Sequence, residues 1–552
     1  MPILIRLGVF FIWVLAAVSV ERLLLLNVLA SAQWNPSAGS ILNTSSISPS
    51  PAVKGAQACT RLRDELGSEV VHLCGEGVYV EAIQNPNSLY NSFYRPACVV
   101  APQEAVHVQK AMATIYEERA HYAVMSGGHT AMTGWNTVQD GVLIYFTNMN
   151  NVTYDAKTNR ATIQPGVRWG DALQQLEPYG VAPMGGRLGN IGTGLLLGGG
   201  ISYLAPENGW STDAITEMDV VLVNGQQVTA TANNQYSDLF RALKGGGNRF
   251  GIVTRFEVEP IRVGRSTDKN WYGGVILVSQ SIILHERGLQ SVLIASTPLS
   301  NKSSLISLQY PESSVEALIR ATHTFIETNT DPRAAVLVIL GYVMRNGRPI
   351  ASHTVAYFYR GSNLPREVFG DFLDIPSDFQ HLAPVSYQEA ASIFGSGDYR
   401  ESGERFSGTS FAGGPEKCLK AYKDFRRFAL ESTYLVNSTV LALTPIPRHQ
   451  IQVARNRGGN ALDPSLQPYI SAHWHTVLLK GQEQIPPKVE LGLQWLMRQN
   501  PPSAGAPLDM NESDATQNVY ATYGNYEFLR RVYRKYDPTR FNVRYSQGPI
   551  GL

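Results

Sequence analysis

The sequence predicts an α+β protein of two domains, and three observations carry that expectation. The chain has 552 residues, about twice the size at which a single hydrophobic core stops growing. Its first half alternates short apolar runs with helical periodicity and closes several of them on glycines, whereas its second half pairs longer apolar runs about an Asn-Gly dipeptide. An apolar share of 44%, with 26 Tyr and 19 Phe, is enough to fill two cores.

Charge excludes one class of partner. The net charge is +1, charged residues make up 16% against roughly 25% in an average domain, and no basic block occurs, so nucleic acid is not expected. At the N-terminus Arg6 precedes the apolar run Leu7 to Val20, Glu21-Arg22 interrupts, and Leu23 to Leu29 leads to Ala30-Ser31-Ala32. The charged pair ends the first run at about 14 residues, short of the ~20 that a spanning helix needs. Residues 1–32 therefore read as a secretory signal cleaved after Ala32, which leaves no stable membrane span, and 33–55 as a flexible leader rich in Ser, Pro and Asn. Secretion makes the sequons at Asn43, Asn151, Asn301, Asn437 and Asn511 candidate glycosylation sites. It also permits disulfides among Cys59, Cys74, Cys98 and Cys418, with three full pairings open and buried thiols the alternative.

Taken in order, Gln57 to Leu66 reads as a helix and Tyr94 to Val100 as a strand. Pro102 opens a helix whose apolar positions Ala105, Val106, Val108, Ala111, Met112 and Ile115 recur at helical spacing, and His121 to Met125 is the next strand. That strand breaks into Ser126-Gly127-Gly128-His129-Thr130. Strands follow at Gly141–Phe146, Val152–Tyr154 and Ala161–Gln164, then a helix at Val167–Leu176.

Between Gly185 and Gly200 stand eight glycines, a backbone able to take positive φ and to lie against a ligand with no side chain between. Exposed N–H groups there could hold a pyrophosphate. Gly192-Thr-Gly194-Leu-Leu-Leu-Gly198 superficially matches a dinucleotide fingerprint, but Pro183 spoils the strand that should precede it and no helix of ordinary length follows, so an NAD fold is rejected. A third cluster, Lys244 to Thr254, runs into a strand ending near Pro260 and contains Asn248, Gly251 and Val253. Three glycine sites abutting strands point to one extended ligand cradled by backbone.

These motifs carry a family resemblance. Ser126-Gly-Gly-His-Thr130, the Gly185 to Gly200 loop continuing into Gly209-Trp-Ser-Thr-Asp213, Asp238 to Asn248, and Gly524-Asn-Tyr526 with Lys535-Tyr-Asp-Pro538 resemble the berberine bridge enzyme-like FAD-linked oxidases of the vanillyl-alcohol oxidase superfamily. The resemblance implies a two-part FAD-binding domain at 56–261, a substrate domain with an antiparallel sheet backed by helices at 262–506, and a C-terminal return to the FAD domain at 507–552. It implies FAD bonded covalently through His129, whose neutral imidazole nitrogen is the nucleophile. Ser126, Gly127, Gly128, Thr130, Gly186, Gly192, Gly194, Gly198, Gly199, Gly200, Asn248, Gly251, Val253, Asn525 and Tyr526 are the implied remainder of the cofactor site. Many relatives attach the flavin a second time through a cysteine near position 188; Leu188 stands there and no cysteine lies between Cys98 and Cys418, so a single link is expected. The family pattern also suggests a Cys59–Cys98 disulfide.

In the second half, Ala334–Val343 and His353–Tyr359 flank Asn346-Gly347 as a hairpin, Ser432–Leu443 and Tyr469–Leu479 add strands, and Ser314–Glu327 and Val489–Met497 read as helices. Tyr357, Phe358 and Trp474 are candidate pocket aromatics. Removing a hydride from carbon is helped by a base on the adjacent heteroatom. Relatives use a tyrosine before the C-terminal return and an acidic strand residue; here Asp509 occupies the tyrosine place and the strand 469–479 holds His473 and His475 but no carboxylate. Those histidines are two apart and share a strand face; a structural role, a flavin-side base and a metal site without a third ligand are their readings in that order. If Asn511 is glycosylated, its segment lies at the surface.

The resemblance implies a secreted oxidase that takes hydride from a hydroxyl- or amine-bearing carbon of a small molecule, a secondary metabolite or a carbohydrate, and passes electrons to dioxygen. The missing carboxylate and tyrosine motivate the alternative of an isomerase, a cyclase or a non-catalytic flavin-binding protein. Substrate identity and oligomeric state are not readable from the chain.

Overall fold

A computed structural model describes residues 49–274, 308–377, 382–392 and 400–552. The expected signal, most of the expected leader, and the sequons at Asn43 and Asn301 lie outside these residues. The architecture is that of the unit Ser50–Leu552.

Its first helix, Pro51–Leu66, starts earlier than the sequence reading placed it. Proline at the first position suits a helix start, and the Ser50 side chain accepts a hydrogen bond from the Val53 N–H. Residues 51–55 are thus helical, not leader, and a Cβ at Gly55 would collide with the Asp140 carbonyl. The disulfide Cys59–Cys98 ties this helix to the strand Cys98–Val100, while Cys74 is an exposed thiol and Cys418 a buried one.

Strands Val71–His72, Cys98–Val100, Val142–Tyr145 and Tyr122–Met125 form a sheet in that spatial order. The last three run parallel, with helix Ala105–Glu118 as crossover. The Gly-Gly-His turn therefore leaves the carboxyl end of a parallel strand, where ligands of α/β units collect. A second sheet of five antiparallel strands, Val152–Asp155, Arg160–Ile163, Ile252–Val258, Ile215–Val221 and Gln227–Thr231, completes this half. Between them Val181–Ala182 pairs only with Ile261–Arg262, and Gly194–Leu197 makes one helical turn. No dinucleotide βαβ unit is built there.

The other half is an eight-stranded sheet whose pairings are all antiparallel. Its hairpin turns at Asn346 (φ 49°) and Gly347 (φ 72°), the two positive φ values of a type I′ turn. Because successive strand residues point to opposite faces, Val336, Val338, Leu340, Leu441, Leu443, Ala472 and Trp474 share the face covered by helices Val315–Thr328, Arg366–Leu373, Glu416–Glu431 and Pro487–Gln499. Leu337, Ile339, Val440, Ala442, His473 and His475 take the opposite face. At the C-terminus the buried Arg249 donates to the carbonyls of Asn542, Ser546 and Pro549, and Tyr520 Oη donates to the Gly246 carbonyl, holding the last segment on the third glycine cluster.

Candidate active site

A cavity of about 320 Å³ lies between the glycine turns and the open face of the large sheet. Its cofactor-side wall begins with Ser126, Gly127, Gly128, His129 and Thr130. This turn is fixed by a crossing of two loops. A Cβ on Gly127 would collide with the Gly192 backbone, and one on Gly192 with Gly127 and Ser126 Oγ, so both positions need glycine. Ser126 Oγ (2.6 Å) and Thr193 Oγ1 (2.7 Å) both donate to the Pro165 carbonyl. Gly128 has φ +77°, and its carbonyl accepts from Asn87 N (2.9 Å) and Asn136 Nδ2 (3.0 Å), which pins the peptide leading into His129. Gly192, Gly194, Asn248, Gly251 and Val253 continue the wall. Asn248 is oriented by the Trp135 indole, which donates to its Oδ1 at 3.0 Å.

The opposite wall is chemical. His473, His475, Phe406 and Val477 project from adjacent strands, and Asp509, Asn511 and Glu512 come from the turn Met510–Glu512 and its cap. His473 Nε2 lies 3.7 Å from Glu512 Oε2, and His475 Nε2 lies 3.5 Å from Glu404 Oε2. Phe406 packs edge-on to His475 with centroids 4.6 Å apart. Burial raises the Asp509 and Glu512 carboxyls above the ordinary carboxylate range, and for Asp509 the neighbouring Glu512 charge adds to it. Burial pushes His473 down to about 3, with Arg187 and His475 acting in the same direction, so its ring is neutral near neutral pH. Arg187 also lines the cavity and donates to Thr444 Oγ1 at 3.1 Å.

Several expected site residues lie elsewhere. Gly186 is covered by the Trp169 indole and Ile191, Gly198 by the Asn511 side chain, Gly199 by Leu462 and Trp210, and Gly200 by Ser211. These glycines let the loop pack tightly on protein and do not line the cavity. Asn525 Nδ2 donates to the Asn460 carbonyl and Tyr526 Oη to the Gly551 carbonyl, both 2.8 Å, so they brace the C-terminal segment instead. Tyr357 and Trp474 are in the helix-backed core because the strand pleat turns them there, and Phe358 stacks on Tyr203 at 3.7 Å. Asn511, offered as a surface sequon, lines the cavity and donates to the Leu195 carbonyl at 3.3 Å. Sequence reading missed Arg187, Phe406, Glu404, Glu512, and the Asn85–Asn87 segment beneath the turn. Glu512 stands three residues beyond Asp509 and was within its reach; Glu404 was not, because strand register joins it to His475.

The sequence model of the FAD binding domain family matches residues 96–231. An FAD-linked oxidoreductase of Arthroderma benhamiae is 30% identical over 471 residues, 81% of this chain and 85% of that protein. The chain belongs to the FAD-linked oxidoreductases. Among solved structures, a single-substitution variant of berberine bridge enzyme superposes with a TM-score of 0.66 at 13% identity, covering 89% of this chain and all of that one. Chitooligosaccharide oxidase does so with 0.66 at 18% identity over 90% and 100% of the two chains. As a member of this family the chain is an FAD-dependent oxidoreductase, and the residues present fit the cofactor. A Cβ on Gly194 would meet nothing within 4 Å, which leaves bare backbone at the cavity wall. With Gly192, Asn248, Gly251 and Val253 it forms a cradle of small groups suited to a planar cofactor.

Proposed function

We propose that this chain is a secreted oxidase that carries FAD on a single covalent link through His129 and oxidises a hydroxyl- or amine-bearing carbon of an apolar small molecule. The observation that carries this reading is that one cavity joins the Gly127-Gly128-His129 turn to Asp509, Glu512, His473 and His475. The chemistry that FAD supplies when bound is acceptance of a hydride from carbon and return of two electrons to dioxygen as hydrogen peroxide. The pinned Gly128 carbonyl holds His129 at one end of the cavity, where its imidazole would hold FAD. At the other end Asp509, adjoining Glu512, takes the proton of the substrate's hydroxyl or amine, and neutral His473 orients the heteroatom. Leu337, Ile339, Phe406, Val440 and Val477 between them favour a hydrophobic scaffold over an oligosaccharide. The isomerase and cyclase alternative rested on a missing carboxylate and a missing tyrosine; Asp509 and Glu512 bring carboxylates to the cavity, which favours the oxidase.

Acid precipitation tests the link. Flavin absorbance is expected to stay with the wild-type pellet and to wash away from His129→Ala; colour lost from both proteins would remove the covalent claim. Peroxide release on aerobic turnover with a panel of apolar alcohols checks the acceptor, and turnover without peroxide would overturn it.

A further inference from the structure

Glu404 is the first residue of the strand Glu404–Ala412, and it does not line the cavity. It pairs in register with Val477, as Phe406 does with His475. Directly opposed residues of antiparallel strands point to one face, so Glu404 closes the row Phe406, His475 and Val477 from behind. Its side chain is fully buried. A carboxyl with no access to water needs specific partners, and each of its oxygens faces a polar atom. Oε1 accepts from Asn87 Nδ2 at 3.0 Å, and Oε2 lies 3.5 Å from His475 Nε2.

The same residue joins the two halves of the site. Asn87 N donates to the Gly128 carbonyl at 2.9 Å, one residue before His129. A path of three polar contacts therefore runs from the turn before His129, through Asn87 and Glu404, to His475 on the substrate wall. Backbone contacts brace it. Glu404 N donates to Ser88 Oγ at 3.1 Å, and Leu89 N donates to the Ser402 carbonyl at 3.0 Å. The charged and titratable groups around the pair are Glu512, whose charge acts on both Glu404 and His475, and His473, which reaches His475 along the same strand face.

We propose that Glu404 is a positioning residue: its carboxylate holds the Nε2–H of His475 and fixes the orientation of that ring on the substrate wall. Burial raises the Glu404 carboxyl above its ordinary range, and the His475 and Asn87 contacts act against that rise. The carboxylate is thus to His475 what an orienting acid is to any catalytic imidazole, here delivered from a strand end that reaches the flavin-side turn through Asn87.

This inference rests on the oxidase reading for its substrate, but its test does not. In holoenzyme carrying labelled histidine, with His475→Gln assigning the resonance, the nitrogen shifts of wild-type His475 are expected to show a protonated Nε2; a neutral ring protonated at Nδ1 would overturn the proposal without any variant of Glu404. In Glu404→Gln the Nε2 proton is expected to lose its fixed partner, so the His475 nitrogen shifts should move toward a mixture of the two tautomers. Turnover should fall about tenfold or more in kcat with KM changed less than about twofold, the pattern of an interaction used in the transition state. Glu404→Asp, which keeps the charge on a shorter arm, should restore part of both. Identical His475 nitrogen shifts in wild type and Glu404→Gln, or a variant that raises KM at unchanged kcat, would sink the idea. Absence of peroxide from wild type would count against the oxidase reading and leave the nitrogen shifts to decide the pair.

Discussion

Asp509 and Glu512 stand three residues apart on one turn and face one cavity, and their crowding sets the pH behaviour of the site. Both carboxyls are raised by burial, and the charge on one opposes ionisation of the other. A base works only when ionised, so kcat/KM should climb with pH along a limb displaced above the ordinary carboxylate range of about 4. Asp509→Asn should lower kcat/KM by roughly 10²- to 10⁴-fold, the usual size of a lost general base. What activity remains should follow Glu512 and show a limb displaced from that of wild type. A pH profile of the variant superimposable on wild type would remove Asp509 from the role.

At the scale of elements, the side of the large sheet away from the cavity is tied together by Glu312. It accepts from Tyr342 Oη, Tyr422 Oη and Arg426 Nε at 2.6 to 2.9 Å, and lies 3.3 Å from His353 Nε2. One carboxylate thus joins two strands to the helix Glu416–Glu431. The His353 contact leads the effects that lower Glu312 from 4.5 to about 2. A depressed folded pKa means that the stabilisation is present above about 4.5 and is lost as pH falls toward about 2. With 40% of the side chain exposed, solvent screening limits the effect, and Glu312→Gln should cost roughly 1 kcal/mol at pH 7. Urea titrations at pH 7 and pH 3 check the sign: the gap between wild type and variant should narrow at the lower pH.

Across the whole molecule the C-terminal segment is held by one buried cation. Arg249, 4% exposed, donates to three backbone carbonyls between residues 542 and 549. Arg249→Met would leave them without their donor, at a cost on the order of 3 kcal/mol. A lower melting temperature together with early proteolytic loss of residues beyond about 540 is the expected result; a drop in melting temperature with the C-terminus still protected would place the effect elsewhere.

Local chemistry was enough to mark the Gly-Gly-His turn, the Asn-Gly hairpin, the helical stretches and the failed dinucleotide fingerprint, because φ preferences, proline and periodicity act over a few neighbouring residues. Motif order carried the family. The glycine count was only half informative: it signalled close approach, and only the fold shows that Gly192 and Gly194 reach the cavity while Gly186, Gly198, Gly199 and Gly200 press against protein. The strand pleat sent Trp474 into the core and His473 and His475 to the cavity. Glu404, 71 positions before His475 in the chain, reaches it through register, and Asn87 reaches both it and the His129 turn through packing of the two halves. Periodicity within a strand is local and can be read from its residues; which strands lie side by side, and at what offset, is decided by burial of the whole sheet, and that is where the substrate wall of this site was made.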